Sequence, residues 1–278
     1  MGQITAGLKK ELMFAWRGFR FGGMLLLFLG GALVYPLTSW MMIAMGDMLE
    51  SETQGLEIPG MEGMDALVGF FNMEMTYVSS LAMITSAVLL TLILIMGAGG
   101  KEQKQRSIII PQTAGLTAAG YVLPKFMLYP PMVFVLSVAS AFLANGATHL
   151  VFKESFSAND VLLTGTLYGL LGVFSVCLYL FLGISLAQPG LSILYVFIAN
   201  EILGLMVTTA FSIDRYTPWN LAGLATSVVY STGASASADE RSMAVTAVIT
   251  LGLCFAFLLL TLFAMKAKRM DNTADEVY

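Results

Sequence analysis

Charged side chains are scarce in this chain. They make up 12% of its 278 residues, about half the share usual for a soluble domain. There is one histidine, His149, and there are two cysteines, Cys177 and Cys254. No GxxxxGK[ST] stretch occurs, so no P-loop can cradle nucleotide phosphates. HExxH and GxSxG are absent as well. With a single histidine, neither a histidine–carboxylate metal cluster nor a serine–histidine triad can be assembled. These absences leave no catalytic residues and no metal site to assign, and they argue against an enzyme. Both cysteines fall inside apolar runs and read as small buried side chains rather than a disulfide or a metal site. No cleavable signal peptide is visible, because the first apolar run is too long for one and no small-residue cleavage site follows it.

What is abundant is apolar surface, at 57% of residues. Six stretches are long and apolar enough to cross a hydrocarbon layer of about 30 Å: 23–45, 76–98, 127–147, 161–184, 191–211 and 243–265. The fourth and fifth are separated only by AQPG, so Gln188–Gly190 predicts a tight turn within a helical hairpin. The fold expected is an all-α membrane protein with six uninterrupted transmembrane helices.

Lysine and arginine set the orientation. Lys9, Lys10, Arg17, Arg20, Lys101, Lys104, Arg106, Lys125, Lys266, Lys268 and Arg269 fall on one side, which is eleven of the fourteen bases. Lys153, Arg215 and Arg241 fall on the other. Seven acids (Asp47, Glu50, Glu52, Glu57, Glu62, Asp65 and Glu74) lie between the first two spans. The net charge of −4 is thus a sum over opposed loops and indicates no basic partner. Both termini are expected in the cytoplasm, residues 99–126 form a cytoplasmic loop, and 46–75 and 212–242 are extracytoplasmic.

Residues 1–22 precede the first span. Ile4, Leu8, Leu12, Ala15 and Phe19 recur there at helical spacing, with the four bases mostly off that stripe. This predicts an amphipathic helix in the cytoplasmic interface, apolar face down and bases toward lipid phosphates. The alternative is a tilted extension of the first span. Residues 219–230 are too short to span and read as a partly embedded helix at the outer mouth or as a surface loop.

Glu201, in IANEILGLMV, is the one ionisable side chain near the middle of a span. A carboxylate at that depth is expensive and should face the bundle interior or water. With Asn200 it is a candidate substrate-path or proton-relay site, or a neutral acid bonded to a neighbouring helix. Met61-x-x-Met64 and Met73-x-Met75 raise a Cu(I) reading, but they sit among acids and methionine is ordinary apolar filler. Gly165, Gly169 and Gly172 have the spacing that lets helices approach closely.

The loop after the second span reads GGKEQKQRSIIIPQTAGLTAAGYVLPKF. An acid among bases (Lys101, Glu102, Lys104, Arg106), the apolar run Ile108–Ile110, Pro111 and a lysine (Lys125) entering the third span resemble the cytoplasmic loop of ABC-2 type permeases. These are membrane subunits of ATP-binding-cassette transporters. The resemblance extends to the interfacial "elbow" helix, the six spans and the Pro218-containing outer segment before the last span. The insertion-like QTAGLTAAGY lengthens the path from Pro111 to Lys125. The resemblance implies a permease subunit of an exporter in a bacterial cell membrane, paired with a second permease subunit. It also implies a separate ATPase subunit that holds ATP and magnesium, so that this chain binds no cofactor of its own. Membrane lipid is a further expected partner and nucleic acid is not. Glu102, Arg106, Ile108, Ile109, Ile110 and Pro111 would form the coupling helix that docks on the ATPase. Independently of the family, three isoleucines beside charges on a surface loop need an apolar groove to cover them.

Two other readings stay open. A proton-coupled secondary transporter would use Glu201 as its relay, although no internal repeat is evident. A non-transporting sensor or assembly subunit would share the same topology.

Overall fold

A computed structural model describes residues 2–52, 72–98, 117–203, 216–231 and 240–274. Among these residues the structure is helical, with no strand. The helices are α1 (Gly2–Arg17), α2 (Arg20–Glu52), α3 (Met73–Leu94), α4 (Ala118–Phe152), α5 (Ala158–Leu186), α6 (Pro189–Ile198), α7 (Asn220–Ser231) and α8 (Glu240–Ala274). Five of them carry stretches long and apolar enough to cross a membrane: Arg20–Gly46, Met73–Leu94, Ala118–Phe152, Ala158–Leu186 and Arg241–Ala267. Their outward surfaces are strongly apolar, as at Leu26 (70% exposed) and Val248 (69%). Such surfaces suit hydrocarbon, and the chain is a multi-pass helical membrane protein.

The fifth expected span, 191–211, is represented by a shorter apolar helix over Pro189–Ile202, and residues 204–215 lie outside the described ones. That helix is not regular to its end, because Ala199–Leu203 forms a π-helical turn. The expectation of uninterrupted spans is corrected here: apolar composition shows length but not the backbone's hydrogen-bond period.

Local chemistry explains the element ends. Gly18 donates its N–H to the Phe14 carbonyl at 2.9 Å, and Phe19 takes a left-handed φ of 54°. That corner separates α1 from α2, so the first helix is not an extension of the first span. Asn72 caps α3 by accepting from the Met75 N–H at 2.7 Å, and Thr117 caps α4 by accepting from Gly120 at 3.1 Å. At the start of α5, Ser157 accepts from the Asp160 N–H and donates to its carboxylate at 2.7 Å. Ala187 at φ 55° ends α5 and Pro189 opens α6 at a position where no N–H is needed. A tight turn is therefore present, but at Ala187–Gln188, with Pro189 and Gly190 of the expected 188–190 already helical.

α4 begins nine residues before the expected start of the third span. At 35 residues it is about 50 Å long, so its first turns extend past the hydrocarbon. Pro124, Lys125 and Phe126, read as loop from the sequence, are helical and buried.

α5 is the centre of the bundle and packs on α4, α6, α7 and α8. The glycines govern its contact with α4. A Cβ on Gly165 would meet the Ala141 Cβ at 3.0 Å, and one on Gly169 would meet Phe134 at 2.8 Å. One on Gly172 would meet Val133 at 2.8 Å and Val88 at 3.1 Å. α8 packs along α5, with Cys177 beside Cys254 and Phe181 stacked on Phe257 at 5.5 Å. α7 lies against α5 with Leu221, Ala225, Val228 and Val229 buried, which makes 220–231 a packed helix and not a surface loop.

Candidate functional site

The most polar interior region lies where α1, α2 and α4 meet. Tyr121, Lys125 and Tyr129 are spaced four residues apart on α4 and therefore share one helix face. The Lys125 ammonium lies 2.6 Å from Oε1 of Glu11 and 4.6 Å from the centre of the Tyr121 ring. Tyr129 donates its hydroxyl to the other Glu11 oxygen at 3.0 Å and accepts from Arg20 at 3.1 Å. Lys125 is 1% exposed and Glu11 5%. Removing two ions from water carries a penalty of several kcal/mol each, offset here by contact between the charges and by the tyrosine hydroxyl. Glu11 is an acid placed among Lys9, Lys10, Arg17 and Arg20. That oddity was the available signal for this pair, but its partner is 114 residues away and periodicity does not reach that far.

The junction also corrects the reading of α1. Ile4 and Leu8 are half-buried, Glu11 and Ala15 are buried, whereas Leu12 and Phe19 are exposed. The stripe assigned from spacing is therefore split between two faces. A polar residue, Glu11, occupies the centre of the face packed on the bundle.

α1 is fastened to Thr117, and the start of α2 to Gly97, on the two sides of residues 99–116. Near its start, the Gln3 side chain accepts from the Thr117 N–H at 3.2 Å and from the Thr117 hydroxyl at 2.9 Å. Along its length, Gly7 meets α4 so closely that a Cβ would lie 2.7 Å from Pro124 and 2.9 Å from the Gly120 carbonyl. Just past its end, the Arg20 guanidinium lies against Gly97. Tyr179 of α5 donates to the neighbouring Met96 carbonyl at 3.2 Å. Gly97 and Thr117, on the two sides of residues 99–116, thus each contact α1 or the start of α2. The expected docking residues Glu102, Arg106, Ile108, Ile109, Ile110 and Pro111 lie outside the described residues.

Asn200 and Glu201 sit together on the π-helical turn but diverge. Asn200 turns inward and donates to the Ser175 hydroxyl of α5 at 2.9 Å, while Glu201 is exposed. Ser175 is eleven residues before the end of α5, about 16 Å along its axis. That bond sets Asn200 at mid-bundle depth, and Glu201 beside it. Of the two surroundings expected for Glu201, bundle interior or water, this chain's own helices do not supply the first among the described residues.

Cys177 and Cys254 are both buried with no disulfide between them, and they lie beside each other across α5 and α8. Met73 packs against the core and Met75 is 39% exposed at the start of α3; Met61 and Met64 lie outside the described residues. Among the described residues no group of three or more His, Cys, Asp or Glu is placed to hold a metal ion.

Comparison with family models, with curated proteins and with solved structures finds no match to this chain.

Proposed function

We propose that the chain is the membrane-spanning permease subunit of an ATP-binding-cassette exporter of the ABC-2 type. In this reading it has six spans with both termini cytoplasmic, and it works with a separate ATPase subunit and a second permease subunit. The observation that carries the reading is the anchoring of segment 99–116. On one side of it Gly97 lies against Arg20, on the other Thr117 bonds Gln3, and Arg20, Glu11, Lys125 and Tyr129 join α2, α1 and α4. A partner that displaces the segment would therefore load three helices together and not a single flexible strand. The basic run of the segment and its three isoleucines supply the charged and apolar contacts such a partner needs.

The test is co-expression with a cognate ATPase, followed by purification of the complex through the membrane subunit. Ile109→Asp should abolish ATPase capture while the membrane subunits still pair. Capture that survives Ile109→Asp and similar changes across 102–111 would exclude this docking role.

A proton-coupled carrier is the second reading, favoured by the exposed Glu201 at mid-bundle depth on a π-helical turn. Vesicle transport that an uncoupler abolishes and that ignores ATP and vanadate would select it over the first.

A further inference from the structure

α4 is held by two sets of contacts, and a pair of prolines separates them. Between Thr117 and Tyr129 the chain is fastened to α1 and to the start of α2. Thr117 bonds Gln3, Gly120 and Pro124 close on Gly7, Lys125 and Tyr129 share Glu11, and Tyr129 accepts from Arg20. Between Val133 and Ala141 the same helix is fitted to the glycines of α5. Val133 lies against Gly172, Phe134 against Gly169, and Val138 and Ala141 against Gly165. Pro130 and Pro131 stand between the two sets, inside the helix.

A proline has no N–H to give to the carbonyl four residues back. Pro130 and Pro131 therefore deprive the Phe126 and Met127 carbonyls of their α-helical donors, so two successive rungs of the ladder are missing at one place. One turn further on, the Ser137 hydroxyl donates to the Val133 carbonyl at 2.9 Å, a back-bond that also favours bending. Pro124 differs, because the carbonyl it frees, that of Gly120, is packed against Gly7 of α1 and that break is clamped.

We propose that Pro130–Pro131 is a hinge about which α1 and the first three turns of α4 pivot as one piece against the part of α4 locked to α5. The bond from Arg20 to Tyr129 adjoins Pro130, where a pivot moves atoms least, so the link to α2 survives the motion. Leu150 lies nineteen residues beyond Pro131, about 28 Å along the helix. A bend of about 20°, ordinary for a proline, carries it through up to about 10 Å relative to α1. The hinge is a property of the fold and does not depend on the transport reading. On that reading it is the joint at which a load on segment 99–116 becomes a tilt of α4 in the membrane.

The experiment is double electron–electron resonance on the full chain in lipid nanodiscs, with Cys177 and Cys254 replaced by alanine and no ATPase present. Nitroxides at the exposed positions Leu12 and Leu150 report across the prolines. A pair at the exposed positions Phe142 and Leu186 reports within the part locked to α5. The Leu12–Leu150 distribution should be wider than the Phe142–Leu186 one by up to about 10 Å. Pro130→Ala with Pro131→Ala restores both rungs and should remove that excess width, whereas Pro124→Ala should keep it. An unchanged Phe142–Leu186 distribution, with unchanged amide protection in α1, verifies that each variant is folded. Equal widths for the two pairs in the parent would overturn the proposal, as would an excess width that the double variant retains. Because no ATPase takes part, these outcomes are separate from the docking test at 102–111.

Discussion

Lys125 of α4 and Glu11 of α1 form a buried ion pair at 2.6 Å, joining a helix that crosses the membrane to one that does not. Neither side chain can reach bulk water in this arrangement, so each is the condition for burying the other. Tyr129 and Arg20 extend the pair to α2, and the result is a charged junction between three helices.

Breaking that pair should be expensive, and replacing it whole should not. Lys125→Met leaves the Glu11 carboxylate buried without its cation and is expected to destabilise the protein by about 3–5 kcal/mol. The double variant Glu11→Leu, Lys125→Met should recover most of that loss. Thermal or denaturant unfolding of the parent, Lys125→Met, Glu11→Leu and the double variant in the same detergent gives the coupling energy. A double variant as unstable as Lys125→Met would show that the junction depends on charge and not on packing.

Close packing of α4 on α5 makes the glycine positions intolerant. Gly169→Ala places a methyl 2.8 Å from the Phe134 ring and 3.4 Å from the Phe134 carbonyl. The expected loss is about 1–3 kcal/mol, read as a lowered midpoint of unfolding. Gly252 of α8 has nothing within 4 Å, so Gly252→Ala should be neutral or slightly stabilising and serves as the control.

At the other end of the bundle, the Ser39 and Thr76 hydroxyls are 2.8 Å apart, both fully or almost fully buried between α2 and α3. A double-mutant cycle with Ser39→Ala and Thr76→Val should return a coupling of about 0.6–1.7 kcal/mol. A coupling near zero would mean that each hydroxyl is satisfied within its own helix.

The contact between Cys177 and Cys254 predicts a zero-length cross-link. Copper-phenanthroline, a membrane-permeant oxidant, should join them within one chain, lowering the mass by the two thiol hydrogens and protecting both from maleimide in denaturant. Cys254→Ser should abolish the link. Failure of the parent protein to form it under oxidation that modifies either thiol singly would contradict the α5–α8 register.

Much of the fold was legible because transfer to lipid is a property of composition. Runs of apolar residues place α2, α3, α4, α5 and α8 to within several residues. The glycine spacing of α5 was likewise readable, and the break between α5 and α6 was read to within a residue or two, since proline sets its own backbone. Helix ends were less legible. α4 starts at Ala118, inside a stretch that reads as insertion, because the Thr117 cap and the docking of Gln3 outweigh a weakly apolar composition. The bounds read as 1–22 and 23–45 shifted for a similar reason, as Phe19 turns the chain at a residue type that gives no such warning.

The sequence alone determined the medium this chain lives in and the absence of a nucleotide-binding loop, because hydropathy, charge and motif spacing are summed over local residues. Only the tertiary structure decided which polar groups meet. Glu11 reaches Lys125 across 114 positions, Asn200 turns toward Ser175 while Glu201 turns away, and the two cysteines share one contact. Each of these depends on how helices rotate against one another. That rotation is settled by packing of whole faces, to which every helix contributes and which no single segment records.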